Sequence, residues 1–282
     1  MRNCVIWSVL LLAMVDAAFS KDPKPSGQEK AKQEVDAGGK TEGPSKELTV
    51  ELGGGVKMDL VLIPAGEFMM GDDQGRINEK PVHKVNITKP FYLGKYEVTQ
   101  EQWEAVMGSN PSRFKGPKNP ADMVIWDDCQ AFIAKLNKES RPGSAKFGLP
   151  TEAQWEYACR AGTTTRYSFG DDPAKLDDYA WWANNAKGTT HPVGQKKPNA
   201  WGLYDMAGNV CEWCADRFDG EYYAKSPTDA PAGPGSGASR VLRGGSWNYD
   251  ITDVFRSAHR SFNDPDYRRY DHGFRVARTL TP

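Results

Sequence analysis

NAWGLYDMAGNVCEWCAD, residues 199–216, decides how this chain is read. Turn formers (Asn199, Gly202, Gly208, Asn209) stand among Trp201, Tyr204 and Trp213 with neither a helical nor a strand period. A solvated linker does not carry that aromatic load. The stretch reads as an irregular core, where backbone N–H and C=O groups need partners other than a regular ladder. A bound cation is one such partner. Asp205 and Glu212 flank the Gly208-Asn209 pair, and hard cations such as calcium take carboxylate and carbonyl oxygens.

Upstream, residues 48–52 and 58–63 are short apolar or alternating runs on either side of Gly53-Gly54-Gly55, which predicts two strands and a tight turn. Residues 67–70, 82–87 and 91–98 are further strand candidates. Thr99 and Gln102 make a T-x-x-Q capping box; Trp103, Val106 and Met107 supply an apolar face, and Gly108 stops the helix. A second helix is predicted over about 126–138, where Cys129, Phe132, Ile133 and Leu136 follow helical spacing. A third starts at Thr151, capped with Gln154, turns Trp155, Ala158 and Cys159 inward, and ends at Gly162. Periodicity then fades over residues 163–237. Residues 241–242 and 273–277 are closing strands. The class is α+β and irregular, with few short strands and about three helices.

A chain of 282 residues with 39% hydrophobic residues and nine Trp can bury a sizeable core, and a net charge of −1 gives no bulk attraction to nucleic acid or a membrane surface. Residues 1–20 read as a secretory signal: Arg2, an apolar run over 5–15 too short to span a bilayer comfortably, and small residues at Ala17-Ala18-Phe19-Ser20. No stable membrane span is expected once it is cleaved. Residues 21–47 are rich in Lys, Glu, Gly, Pro and Ser and read as a disordered linker. The folded domain is then 48–282, exported to a periplasmic or extracellular space. Four cysteines follow the signal, Cys129, Cys159, Cys211 and Cys214. An oxidising compartment lets disulfides persist. The pair expected joins Cys159 to Cys211 or Cys214; a redox reading of Cys211-x-x-Cys214 lacks a βαβ context.

GLYDMAGNVCEW (202–213), RVLRGGSW (240–247) and GFRVAR (273–278) resemble the signature of the formylglycine-generating enzyme, or sulfatase-modifying-factor, family. LIPAGEFMMG (62–71), YEVTQEQW (96–103) and LPTEAQWEYACRAG (149–162) fit the same family in the same order, so the resemblance covers residues 58–278. It implies a C-type-lectin-like fold with little regular structure. It also implies a peptide groove in which two cysteines hold copper and oxidise a cysteine of a Cys-x-Pro-x-Arg segment to formylglycine. The positions matching those cysteines are Tyr249 and Val254, and no cysteine follows Cys214. Soft Cu(I) requires thiolates, so copper is not expected.

Ser246 and Trp247 keep the family's GGS-aromatic pattern and Arg275 its GFR pattern. Cys211 replaces a Trp and Asp271 an Asn. Matching residue by residue, Asp205, Gly208, Val210 and Glu212 would hold a structural calcium, against the plainer reading of a turn with two solvated carboxylates. A second calcium site would begin at Asn184-Asn185, but its acidic partner has no match. An iron site from His259, His272 and Asp271 is set against scattered surface histidines, and iron is not expected. Arg256, Arg260, Arg268 and Arg269, with His259, form a basic patch for an anionic group, or else pair with Asp250, Asp253, Asp264 and Asp266. Together these features point to a groove, with Ser246, Trp247, His259 and Asp271 as candidates, that binds a peptide, protein or glycan. The alternative is an oxidoreductase of the formylglycine-generating type or an iron-dependent sulfur oxidase.

Overall fold

The computed structural model describes residues 45–138 and 145–280. The expected signal, residues 1–20, and nearly all of the expected linker lie outside the described residues. Strand β1 (Glu47–Glu51) pairs antiparallel with β2 (Lys57–Ile63) across the glycine turn. Strands β3 (Gly66–Met70) and β4 (His83–Ile87) form a separate hairpin, and β5 (Phe91–Gly94) pairs with β2. The helices are α1 (Gln100–Met107) and α2 (Trp126–Lys138), followed after the two-residue β6 (Phe147–Gly148) by α3 (Glu152–Arg160) and a single turn, α4 (Leu176–Tyr179). The remaining strands are β7 (Cys211–Arg217), β8 (Arg240–Arg243), β9 (Ser261–Asn263), β10 (His272–Gly273) and β11 (Ala277–Thr279). They build a five-stranded sheet, β1-β2-β5-β11-β6, and a four-stranded sheet, β10-β7-β8-β9.

Local chemistry sets the helix ends. Thr99 and Thr151 each accept from the backbone of the residue three ahead, and Gln102 and Gln154 bond back, so both capping boxes close. Gly108 takes the left-handed conformation that stops α1; at the end of α3 Ala161 does so, one residue before Gly162. The buried face of α2 is Cys129, Phe132 and Ile133. The Phe132 ring stacks on Trp103 of α1 at 5.5 Å and meets Phe274 edge-on at 5.4 Å. Truncating such a ring costs about 3–5 kcal/mol.

Strand β7 departs from the sequence reading. Its first four residues are all buried, so no polar-outward alternation marks it as a strand. Cys211 and Trp213 face one apolar cluster and Cys214 the other, which also contains Cys159. The closing segment read as one strand over 273–277 is two, β10 beside β7 and β11 beside β5.

The expected disulfide is not formed. All four cysteines are free and buried. The alternation of a strand turns Cys211 and Cys214 to opposite faces, and Cys159 holds contacts of its own, to Ser257 Oγ at 3.6 Å and the Met206 carbonyl at 3.9 Å. Burial pushes the Cys159 thiol up to about 11 and the other three well above the usual range. Inaccessible protonated thiols resist oxidation.

Candidate functional site

The irregular stretch before β7 is held by side chains that stand in for a ladder. Asn199 donates to the carbonyls of Ala158 and Cys159 at the end of α3, and its oxygen accepts from Trp201 and Leu203 N–H. Asn209 donates to Glu97 Oε2 at 2.7 Å and accepts from His191 N–H at 3.0 Å. Gly208 is required: a Cβ there would stand 2.2 Å from the Trp181 carbonyl, and its φ is +83°. Glu97, from YEVTQEQW, is the residue that sequence reasoning missed. It is 1% exposed and also accepts from Val210 N–H at 3.0 Å.

Three carboxylates, Glu97, Asp205 and Glu212, are buried here with one guanidinium, Arg275. Glu212 is not a solvated carboxylate. Arg275 Nη2 and Nε bond its two oxygens at 2.6 and 2.7 Å, and Trp155 Nε1 donates at 2.7 Å. Asp205 accepts from Gly194 N–H at 2.7 Å through Oδ2, while its buried Oδ1 has no partner. Burial pushes the Asp205 carboxyl up to about 6; burial, then the neighbouring Asp205 and Glu212, push Glu97 well above the usual range. An orphaned buried carboxylate oxygen in a site short of positive charge fits a hard cation. Glu212 fits less well, since both its oxygens are engaged. The Asn184-Asn185 pair serves a turn: Asn185 accepts from Trp182 N–H and donates to Asp177 and the Ala180 carbonyl, and Asn184 is exposed.

On the other side of β7 lies the groove. After β8 the chain turns through Gly244 and Gly245, both at positive φ. A Cβ on Gly245 would stand 2.9 Å from the Phe255 ring. This turn sets Ser246 beside Asp271, with Ser246 Oγ donating to Asp271 Oδ2 at 3.1 Å. Cys211 N–H bonds the Asp271 carbonyl at 2.8 Å, which brings its thiol to the same spot. Trp247 packs on Tyr270 and Phe114 at 5.5 and 5.3 Å. Arg113 lies over Tyr270 at 5.0 Å and Arg269 over the same ring at 5.6 Å. A cavity of about 510 Å³ opens there, lined by Arg113, Met123, Tyr267, Arg268, Arg269 and Tyr270 among others.

Tyr249 lies against Cys211; that neighbour first, then burial and Asp271, push its phenol up. Val254 packs into an apolar cluster with Tyr167, Leu176, Trp182 and Phe255. His259 stands apart from Ser246 and Asp271, enclosed by Arg76, Arg243 and Arg256. His272 adjoins Trp213, Tyr267 and Asp271. Both are buried, not surface residues, and burial pushes each down to about 3. The expected basic patch also divides. Arg256 is bidentate to buried Glu79 and Arg260 to buried Glu152, while Arg268 and Arg269 line the groove and pair with Asp128 and Asp271. Arg113, which sequence reasoning missed, joins them.

Residues 54–280 match the sulfatase-modifying factor enzyme 1-like domain. The formylglycine-generating enzyme of Streptomyces coelicolor is 33% identical, over 77% of this chain and 88% of that protein. The serine/threonine-protein kinase pkn1 of Chlamydia pneumoniae is 34% identical over 79% of this chain, which spans only 38% of the kinase's length. The solved structure of Treponema denticola variable protein 1 superposes with a TM-score of 0.77 at 33% identity, covering 85% of this chain and all of that one. The chain belongs to the sulfatase-modifying factor enzyme 1-like family, with a mixed α+β fold shared with its structural relatives.

Proposed function

We propose that this chain is an exported binding member of the family, which holds a peptide, protein or glycan partner in the groove and is not a copper-dependent cysteine oxidase. One observation carries the reading: the two positions that match the copper thiolates are a phenol packed on Cys211 and a valine inside an apolar cluster. A buried single thiol with a raised pKa does not make a Cu(I) site. The basic, aromatic rim of Arg113, Arg269, Tyr270 and Trp247 favours an acidic segment of a polypeptide partner. Export rests on the reading of residues 1–20; among the described residues no helix is long and apolar enough to cross a membrane. Calcium belongs to the same proposal as a structural ion, with Asp205, the Gly208 and Val210 carbonyls and Glu212 as its oxygens.

The test is turnover. The purified chain receives Cu(I), oxygen, a reductant and a Cys-x-Pro-x-Arg peptide beside the Streptomyces enzyme as control, and the peptide is followed by mass spectrometry. Unchanged peptide is expected. Aldehyde formation would establish the competing reading, an oxidoreductase of the formylglycine-generating type; the other alternative, an iron-dependent sulfur oxidase, would instead require stoichiometric iron in the purified chain. The observation in favour of that reading is the Cys211 sulfur at the groove floor.

A further inference from the structure

A second cavity, about 850 Å³, lies apart from the groove. It opens between the β3–β4 hairpin and the end of α3, and it shares no lining residue with the smaller groove cavity. Its volume lies in the range of small-molecule sites. One wall is aromatic. Phe68 and Trp201, both half-buried, flank Tyr157 with ring centroids 5.2 and 5.0 Å away.

Tyr157 carries the argument. It is 7% exposed and its hydroxyl has no hydrogen-bond partner among the described residues, yet that oxygen is not sealed from solvent. Burial alone pushes the phenol up, with no bond to offset it. Gly66 makes room for the hydroxyl, since a Cβ there would stand 2.4 Å from it. The hydroxyl therefore stands open to the cavity at the edge of the aromatic wall, a donor available to an acceptor brought by a ligand.

The charges select its class. Every cation in the lining is engaged: Lys84 with Glu67 at 2.7 Å, Arg166 with Asp253 at 2.7 Å, Arg160 with Glu156 at 2.8 Å. No free cation is left to hold an anion. Asp73 and Asp171 each use one oxygen on a backbone N–H, of Val82 and Arg166, and keep the other free as an acceptor. We propose that this cavity is a second binding site and that its ligand is a neutral sugar. The C–H face of the ring would lie on the aromatic wall, Tyr157 Oη would donate to a ring or hydroxyl oxygen, and Asp73 and Asp171 would accept from hydroxyls. Neither this site nor the groove reading depends on the other.

The full chain would be titrated with glucose, galactose, mannose, N-acetylglucosamine and their β-linked disaccharides, followed by tryptophan fluorescence and saturation-transfer NMR. At least one sugar is expected to bind, with a Kd on the order of 1 mM. Tyr157→Phe should weaken it about five- to tenfold with an unchanged melting midpoint, and Trp201→Ala should abolish it. Arg113→Ala, on the groove, should leave it intact. Absence of transfer to all of these sugars would overturn the proposal. So would wild-type affinity in Tyr157→Phe, which keeps the fold even if Trp201→Ala does not, or displacement of the sugar by sulfate or by a simple alkylamine.

Discussion

Arg275 and Arg113 stand in two regions of one domain and meet opposite surroundings. Arg275 is fully buried and bonds both oxygens of Glu212, the Gly94 carbonyl and the Tyr204 carbonyl. Arg260 with Glu152 and Arg256 with Glu79 repeat the arrangement, and Arg243 bonds one oxygen of Glu156. Arg113 is exposed and rests its guanidinium on Phe114 and Tyr270; its backbone N–H bonds Asp122, and among the described residues its guanidinium makes no ion pair within 4 Å. The buried set replaces the ladders that an irregular chain lacks. At the groove Arg268 and Arg269 are paired with Asp128 and Asp271, and Arg113 keeps its guanidinium donors for something else. The same side chain thus marks scaffold where it is locked to a buried carboxylate, and an open face where its donors reach solvent.

The largest effect should come from breaking a buried pair. Arg275→Leu leaves Glu212 charged and unpaired at the centre of the domain, next to Glu97 and Asp205. Losing one partner of such a pair costs about 3–5 kcal/mol. Urea unfolding should register that loss, or the protein should fail to fold. A change under 1 kcal/mol would mean that Glu212 simply takes up a proton and the network is dispensable.

Calcium is next. If Asp205 Oδ1 faces an ion, calcium at a hundredfold excess over its Kd should stabilise by about 2.7 kcal/mol. The melting midpoint should rise with calcium and fall back with chelator. Asp205→Ala should abolish the response. An equal response in that variant would move the ion elsewhere and leave the orphaned oxygen unexplained.

Asp216 tests the scaffold side through pH. Burial, then Glu152, pushes its carboxyl up to about 7. Its folded pKa lies above the unfolded value, so the native state keeps a proton that the unfolded chain releases. That contribution is full at low pH and is lost as pH rises from about 4 through about 7. Asp216→Asn does not titrate and can still accept from Glu152 N–H, a bond of 2.8 Å in the native protein. Between pH 5 and pH 8 the native protein should therefore lose more stability than the variant, by on the order of 2–3 kcal/mol. Comparing the two proteins cancels His259 and His272, whose depressed pKa values act in the opposite direction, removing stability as pH falls below their unfolded value.

These effects also show what was legible in the sequence. Thr99 with Gln102 and Thr151 with Gln154 announce α1 and α3 because capping is local chemistry with fixed spacing. The glycine turn between β1 and β2 is readable for the same reason. β7 is not, because a strand buried on both faces has no period to read. Nor is the pairing of Arg275 with Glu212, 63 positions apart, since spacing says nothing about partners brought together by tertiary packing. At the groove, Ser246, Trp247 and Asp271 were readable from motif. Arg113 and Glu97 were not, as each lies far in sequence from the site it completes.

The smallest stability effect is expected at Arg113, and it sharpens the comparison most. Arg113→Ala removes an exposed guanidinium held by two aromatic faces, so its stability should change by no more than about 0.5 kcal/mol. Its contribution should appear only when the groove is filled. An acidic probe, a poly-glutamate peptide, should bind the native protein with an affinity that falls steeply with salt, because exposed charges are screened. The variant should bind it more weakly and with a shallower salt dependence, while its melting midpoint stays in place. If instead Arg113→Ala melts early and binds as the native protein does, then Arg113 is a scaffold residue like Arg275. Exposure would then fail to separate the two sets, and the groove would lose the charge that selects an acidic partner.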